Sequence, residues 1–213
     1  MIAMSNIATI PGSTRSLVPP LGEHPRRSFT SGFDAGEEIY APGQRSDRLY
    51  RVSQGAVRIY RLLANGRRQI SSFHFPGEIF GFDTDSTHHF FADAILDTEL
   101  EVFPLTSNGG FDKAMMESAL RCLVRTQEHL LVVGRQVAME RVAAFLIDMT
   151  KRQGRTDRLD LPMTRADIAD YLGLTIETVS RIFTRLRLQG MIELIDTRKV
   201  RILRMPALET LAA

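Results

Sequence analysis

The sequence is poor in cysteine: Cys122 is the single thiol in 213 residues. One thiol makes no internal disulfide and cannot supply the ligands of a thiolate zinc site or an iron–sulfur cluster. No apolar run reaches the roughly 20 residues that a bilayer-spanning helix needs. The first residues lack the basic stretch and apolar core of a secretory signal. A cytoplasmic chain with no membrane partner is therefore expected. There is also little excess charge. The 27 basic side chains exceed the 25 acidic ones by two, which permits a nucleic-acid partner without requiring one. The carboxylates form no Ser/His/Asp or paired-acid pattern, so no enzyme is expected. A hydrophobic share of 44% suffices for a buried core, and the length fits one large domain or two modest ones.

What is present changes character along the chain. Residues 1–32 carry Pro11, Gly12, Pro19, Pro20, Gly22 and Pro25 without periodicity, and read as an N-terminal arm. From Phe33 to about residue 109, short β-like runs alternate with glycine turns. Leu49–Val52 is one run. Ala56–Leu62 alternates apolar with basic residues, the mark of a half-buried strand. Asn65-Gly66 is a hairpin turn signal, because both residues tolerate positive φ, and Gln69–Phe75 reads as the return strand. Pro76-Gly77-Glu78 makes another turn, followed by runs at Phe90–Ile95 and Leu100–Pro104. Repeated short strands with turn punctuation predict an antiparallel roll or sandwich.

Residues 112–136 contain no proline and one glycine. Met116, Leu120, Leu123, Gln127, Leu130, Gly134 and Val137 follow 4-3 spacing, a heptad seam with two non-apolar interruptions. Val124, Leu131, Val132 and Val133 widen the apolar face. The pattern predicts a helix over 110–137 that packs both on its own domain and on a second copy, with Gly134 allowing close approach. Helix continues over 138–151, Gly154 closes it, and Arg158–Leu161 reads as a short strand stopped by Pro162.

The most informative stretch lies between Thr164 and Gly190, in a C-terminal domain expected to span 138–213. Thr164-Arg165-Ala166-Asp167 fits a capping box. Ile168, Ala169 and Leu172 share a face, Gly173 suits a tight turn, and Thr175 can cap a second helix whose buried face is Val179, Ile182 and Leu186. Small Ala169 permits two helices to cross steeply. This arrangement is that of a DNA-binding helix-turn-helix. On the exposed face, Arg181 can grip a guanine, Glu177 can accept from cytosine, Ser180 can bond a base or phosphate, and Ile176 can lie against a thymine methyl. Thr164, Thr175, Thr184, Arg185 and Arg187 are expected at the DNA backbone. So are Arg198, Lys199 and Arg201 from a β-hairpin wing formed by Met191–Leu194 and Lys199–Leu203.

A glycine-punctuated roll, a long helix and a winged helix carrying Leu174-Thr175-Ile176-Glu177-Thr178-Val179-Ser180-Arg181 resemble the family of the cyclic AMP receptor protein and the anaerobic regulator FNR. The resemblance covers roughly residues 33–204. Glu-x-x-Ser-Arg is similar to the FNR-type recognition pattern, and Gly55–Ile70 and Ser72–Phe82 look most like the FixK subgroup of nitrogen-fixation and low-oxygen regulators. The resemblance implies an α+β fold: an antiparallel cyclic-nucleotide-binding-like jelly roll, a dimerisation helix and a winged helix-turn-helix. It further implies a homodimer on double-stranded DNA, TTGA-like half-sites in an inverted repeat, and contact with RNA polymerase. Two departures bear on regulation. Cyclic-nucleotide binders follow their Gly-Glu turn with Arg-Ser or Arg-Thr, whereas here Gly77-Glu78 is followed by His88-His89-Phe90-Phe91. FNR carries four cluster cysteines, and this chain has one. The expectation is an activator that needs no cofactor and no cyclic nucleotide.

His88-His89 is not expected to hold a metal, because neighbours on a strand point to opposite faces. Cys122 reads as a small buried hydrophobe rather than a redox switch. The alternatives are a regulator with a small-molecule site in the roll and a cupin-like metalloenzyme.

Overall fold

The computed structural model describes residues 28–105, 113–154 and 157–212. Most of the expected arm lies outside these residues, but its end does not. Strand β1 (Phe29–Phe33) already belongs to the roll, paired antiparallel to β8 (Thr98–Pro104) from Phe29–Val102 to Phe33–Thr98. Its FTSGF sequence has no apolar alternation to announce a strand, and its extended form comes from pairing with β8.

The roll consists of two four-stranded antiparallel sheets. One has the order β1-β8-β3-β6, with β3 at Arg48–Gln54 and β6 at Ile79–Phe80. The other has the order β2-β7-β4-β5, with β2 at Glu38–Tyr40, β7 at Phe91–Ala94, β4 at Val57–Leu62 and β5 at Arg68–His74. Gly66, at φ +78°, makes the expected turn between β4 and β5. Between the sheets lie Tyr40, Tyr50, Val52, Val57, Phe80, Ala92, Leu100 and Val102, all buried.

Helix α1 (Lys113–Val133) carries two stripes. Met115 and Ser118 are buried, and Cys122, Arg125, His129 and Val132 are half-buried along the following turns of the same face. Met115 packs with Leu49, Ile79 and Phe103 of the first sheet. The other stripe, Met116, Leu120, Leu123, Gln127 and Leu130, is exposed, as are Val124 and Leu131. The helix ends sooner than the 4-3 pattern predicts. Gly134 has left it, and Val137 is the extended N-cap of α2 (Ala138–Arg152). Glycine makes this break inexpensive, and Arg141 completes it by donating from Nε to the Arg135 carbonyl at 2.8 Å. Gly134 and Val137 therefore belong to a connection between two helices, not to one continuous helix.

The C-terminal part comprises β9 (Arg158–Asp160), α3 (Arg165–Leu172), α4 (Ile176–Leu188), β10 (Ile192–Leu194), β11 (Lys199–Ile202) and α5 (Met205–Leu211). Its sheet has the order β10-β11-β9. Its core runs without interruption into the roll. Ile70 and Phe73 of β5 pack with Phe145, Leu146, Ile168, Tyr171, Val179 and Leu186. The apolar positions of α5 were not distinctive in the sequence; Leu208, buried in this core, is what holds it.

Candidate nucleic-acid interface

The two helices of the motif are built as their cap residues require. Thr164 accepts from the Asp167 amide at 3.1 Å, while Asp167 Oδ2 accepts from the Thr164 amide at 2.9 Å, so two N–H groups at the start of α3 are satisfied reciprocally. The Thr164 hydroxyl also donates to Asp167 Oδ2 at 2.8 Å. Its one proton is thus committed within the protein in this geometry. Gly173 ends α3 in the left-handed conformation, φ +65°. Its substitution by any residue with a Cβ would strain the turn. Thr175 then caps α4, accepting from the Thr178 amide at 3.2 Å.

Val179, Ile182, Phe183 and Leu186 anchor α4 in the core. The opposite face is free. Ile176, Glu177, Ser180, Arg181, Thr184, Arg185 and Arg187 are all exposed. With 3.6 residues per turn, Glu177, Ser180, Arg181 and Thr184 fall on one face, flanked by Arg185 on one side and Arg187 on the other. Among the described residues, Arg185 and Arg187 form no salt bridge. Glu177 accepts from its own amide and from Thr175, which hold its carboxyl below the usual carboxylate range. It is ionised at neutral pH, able to accept from a base amino group and repelled by phosphates. Thr184 donates back to the Ser180 carbonyl at 3.0 Å, so its proton too is used locally.

The wing is the β10–β11 hairpin. Arg198 and Lys199 are exposed at its tip, where the Arg198 amide donates to Asp196 at 2.7 Å. Arg201 instead pairs across the strands with Glu193 at 2.7 Å and is spent within the hairpin. The surface thus combines one exposed polar helix face with flanking cations, a layout suited to major-groove contact plus backbone neutralisation.

A further set of residues was not legible in the sequence. Arg58 of β4 falls among the basic positions of the alternating Ala56–Leu62 run, and Arg68 precedes the expected return strand, at the first residue of β5. Both reach α3. Arg58 Nη1 donates to Asp167 at 3.2 Å and Nη2 to Asp93 at 2.8 Å. Arg68 donates to Asp167 at 2.6 Å and, through Nε, to Asp170 at 2.9 Å. Burial acts against the Asp167 charge, but the Thr164 hydrogen bonds and both arginines outweigh it and hold the carboxyl below its ordinary range. The sequence signal was present only in part: a basic residue in an alternating strand does not reveal what covers that strand.

In the roll, Tyr40, Tyr50 and Phe80 form a ring cluster, and His88 stacks on Tyr40 with centroids 3.7 Å apart. The histidine pair differs from expectation in one respect. It precedes β7 rather than lying on a strand, so both rings turn to one carboxylate, His88 Nδ1 to Asp83 at 2.7 Å and His89 Nδ1 at 3.1 Å. Cys122 lies off the exposed stripe of α1, half-buried beside Arg125, and burial raises its thiol pKa.

Comparison with known proteins points the same way. Residues 31–117 match the cyclic nucleotide-binding domain model, and residues 140–211 match the Crp-like helix-turn-helix domain model. The chain is 52% identical over 179 residues to the nitrogen fixation regulation protein FixK of Rhizobium meliloti (strain 1021), covering 84% of this chain and 85% of that one. It is 41% identical to the FixK of Azorhizobium caulinodans, over 79% of this chain and 73% of the other. Among solved structures, FixK2 from Bradyrhizobium japonicum superposes with a TM-score of 0.82 at 37% identity, covering 88% of this chain and 98% of that one.

Proposed function

Because this chain belongs to the family of Crp- and FNR-type transcription regulators, in its FixK-like branch, we propose that it activates genes of nitrogen fixation or low-oxygen respiration by binding DNA in the cytoplasm as a homodimer. The observation that carries the reading is the face of α4. Glu177, Ser180 and Arg181 stand exposed on a capped helix whose other side is locked into the core. Arg181 reads guanine, Glu177 reads cytosine, and Ile176 and Ser180 complete a TTGA-like half-site. Arg185, Arg187, Arg198 and Lys199 hold phosphates.

The exposed stripe of α1 supports the dimer. Met116, Leu120, Leu123 and Leu130 are each about half or more exposed, a costly row of apolar side chains on a lone chain and an ordinary one across a two-helix seam. Two copies related by a twofold axis present two α4 helices to an inverted repeat. RNA polymerase is the partner through which such a dimer activates. In the roll, the Tyr40, Tyr50, Phe80 and His88 rings occupy the interior with their own contacts, which supports activity without a cyclic nucleotide.

The test is a panel of operators, each changed at one half-site position, at two salt concentrations. Arg181→Ala is expected to cost about 1–3 kcal/mol and to relax preference at the guanine. Arg187→Ala is expected to weaken all operators alike and make the salt slope shallower by about one. A uniform loss across the panel for Arg181→Ala makes that side chain a phosphate contact and removes the assigned reading face.

A further inference from the structure

The roll and the reading domain meet along β5 and α3, and the join has two chemically distinct parts. One is apolar: Phe73 of β5 packs against Tyr171 of α3 with centroids 5.0 Å apart. The other is an ion cluster. Asp167 Oδ1 accepts from both Arg58 and Arg68; Asp93 of the roll holds Arg58 from behind, and Asp170 holds Arg68. The Gln69 amide adds a bond to the Asp170 carbonyl at 2.7 Å. Both guanidiniums lie over the Tyr60 ring, 5.8 and 5.5 Å from its centroid. The cluster is largely shielded from water: the Arg58, Arg68, Asp93 and Asp167 side chains are 19%, 23%, 8% and 2% exposed.

The two parts constrain the join differently. Apolar contact is non-directional and tolerates sliding. Guanidinium–carboxylate bonds have a fixed fork geometry, so a small rotation of α3 breaks them. Asp167 is also the residue that closes the α3 cap with Thr164. Any force on its carboxylate therefore acts on the first turn of the motif, and α4 is packed against α3 just beyond the Gly173 turn.

We propose that Arg58 and Arg68 are positioning residues for DNA recognition: through Asp167 and Asp170 they fix the angle at which each protomer presents α4, and so the separation of the two reading helices. This rests on the dimeric DNA-binding reading above. A dimer must match half-sites about one helical turn apart. With the clasp intact, an operator lengthened or shortened by one base pair at its centre is a poor match. With the clasp removed, α3 and α4 pivot on the apolar contact. The native operator then loses affinity, the altered ones lose less, and the bases preferred within each half-site stay the same.

The full-length chain carrying Arg58→Gln and Arg68→Gln tests this on operators of native, plus-one and minus-one spacing. Affinity for the native operator is expected to fall about tenfold, within the usual range for coupling between distant elements, and the spacing penalty is expected to shrink by a similar factor. The half-site preference and salt slope are expected to be those of the wild type, since neither arginine touches DNA. Arg58→Lys with Arg68→Lys retains charge without the fork and is expected to recover the spacing penalty only partly. Asp170→Asn, at the more exposed edge of the cluster, provides a milder variant should the double change fail to fold, with a smaller loss in the same direction. Unchanged spacing discrimination in folded variants overturns the clasp. A wild-type chain that binds every spacing equally overturns the dimeric reading beneath it.

Discussion

Replacing Asp167 with asparagine removes one charge and almost no volume from the buried centre of the ion cluster between α3 and the roll. In the native chain its carboxylate accepts from the Thr164 amide and hydroxyl, Arg58 and Arg68 while only 1% of the residue is exposed. Removing one partner of a buried ion pair commonly costs about 3–5 kcal/mol, because the other charge is stranded. Here the stranding is incomplete: Arg58 keeps Asp93 at 2.8 Å and Arg68 keeps Asp170 at 2.8 Å. The amide oxygen can also keep part of the α3 cap. The expected loss is therefore about 2–3 kcal/mol at pH 7, or roughly 4–12 °C in melting temperature for a chain of this size. The pH dependence gives an internal control. The folded-state pKa of Asp167 is depressed, so its contribution is fully present above the ordinary carboxylate range and is lost as pH falls through the lowered value. Wild type and variant should differ at neutral pH and converge in strong acid. The assay is thermal or urea unfolding at fixed protein concentration, because the proposed dimer would make stability concentration-dependent. A difference at pH 7 below about 0.5 kcal/mol, typical of a surface change, would refute the assignment of Asp167 as the buried node.

Two further expectations concern assembly and regulation. Leu123→Asp with Leu130→Asp places unpaired charge on the exposed stripe of α1 and should shift the protein to monomer in sedimentation velocity; an unchanged dimer would put the interface elsewhere. Titration calorimetry with cyclic AMP should give no tight binding and no gain in operator affinity; a micromolar site would mean that the Tyr40–Phe80 ring cluster opens for a ligand.

The layered plan was legible in sequence where local chemistry decides the outcome. Asn65-Gly66 specifies a tight turn on its own, because only certain residues tolerate positive φ. Thr164 with Asp167, then Gly173 and Thr175, mark helix ends through hydrogen bonds made within three or four residues. The period of Val179, Ile182 and Leu186 orients α4, and with it the face of Glu177 and Arg181. All of this acts over one or two turns of chain and needs no distant partner. Periodicity did overrun at Gly134, where the 4-3 rhythm continues although the helix does not, because spacing records which faces are apolar and not whether the backbone stays helical.

What only the tertiary structure decided depends on residues far apart in the chain. FTSGF becomes β1 because β8 offers it a ladder some seventy positions away. His88 and His89 share Asp83 from a segment that precedes β7 and is not part of it. In the sequence Arg58 is one basic position of an alternating strand, Arg68 stands outside the expected return strand, and Asp167 is a helix-capping residue. Folding brings α3 over β5, and the same carboxylate then serves a second role, with partners 109 and 99 residues away. No local pattern encodes that pairing, since a charge in a strand carries no record of what covers it. The exposed face of α4 is thus a property of the sequence, while the angle at which it is held is a property of the packed molecule.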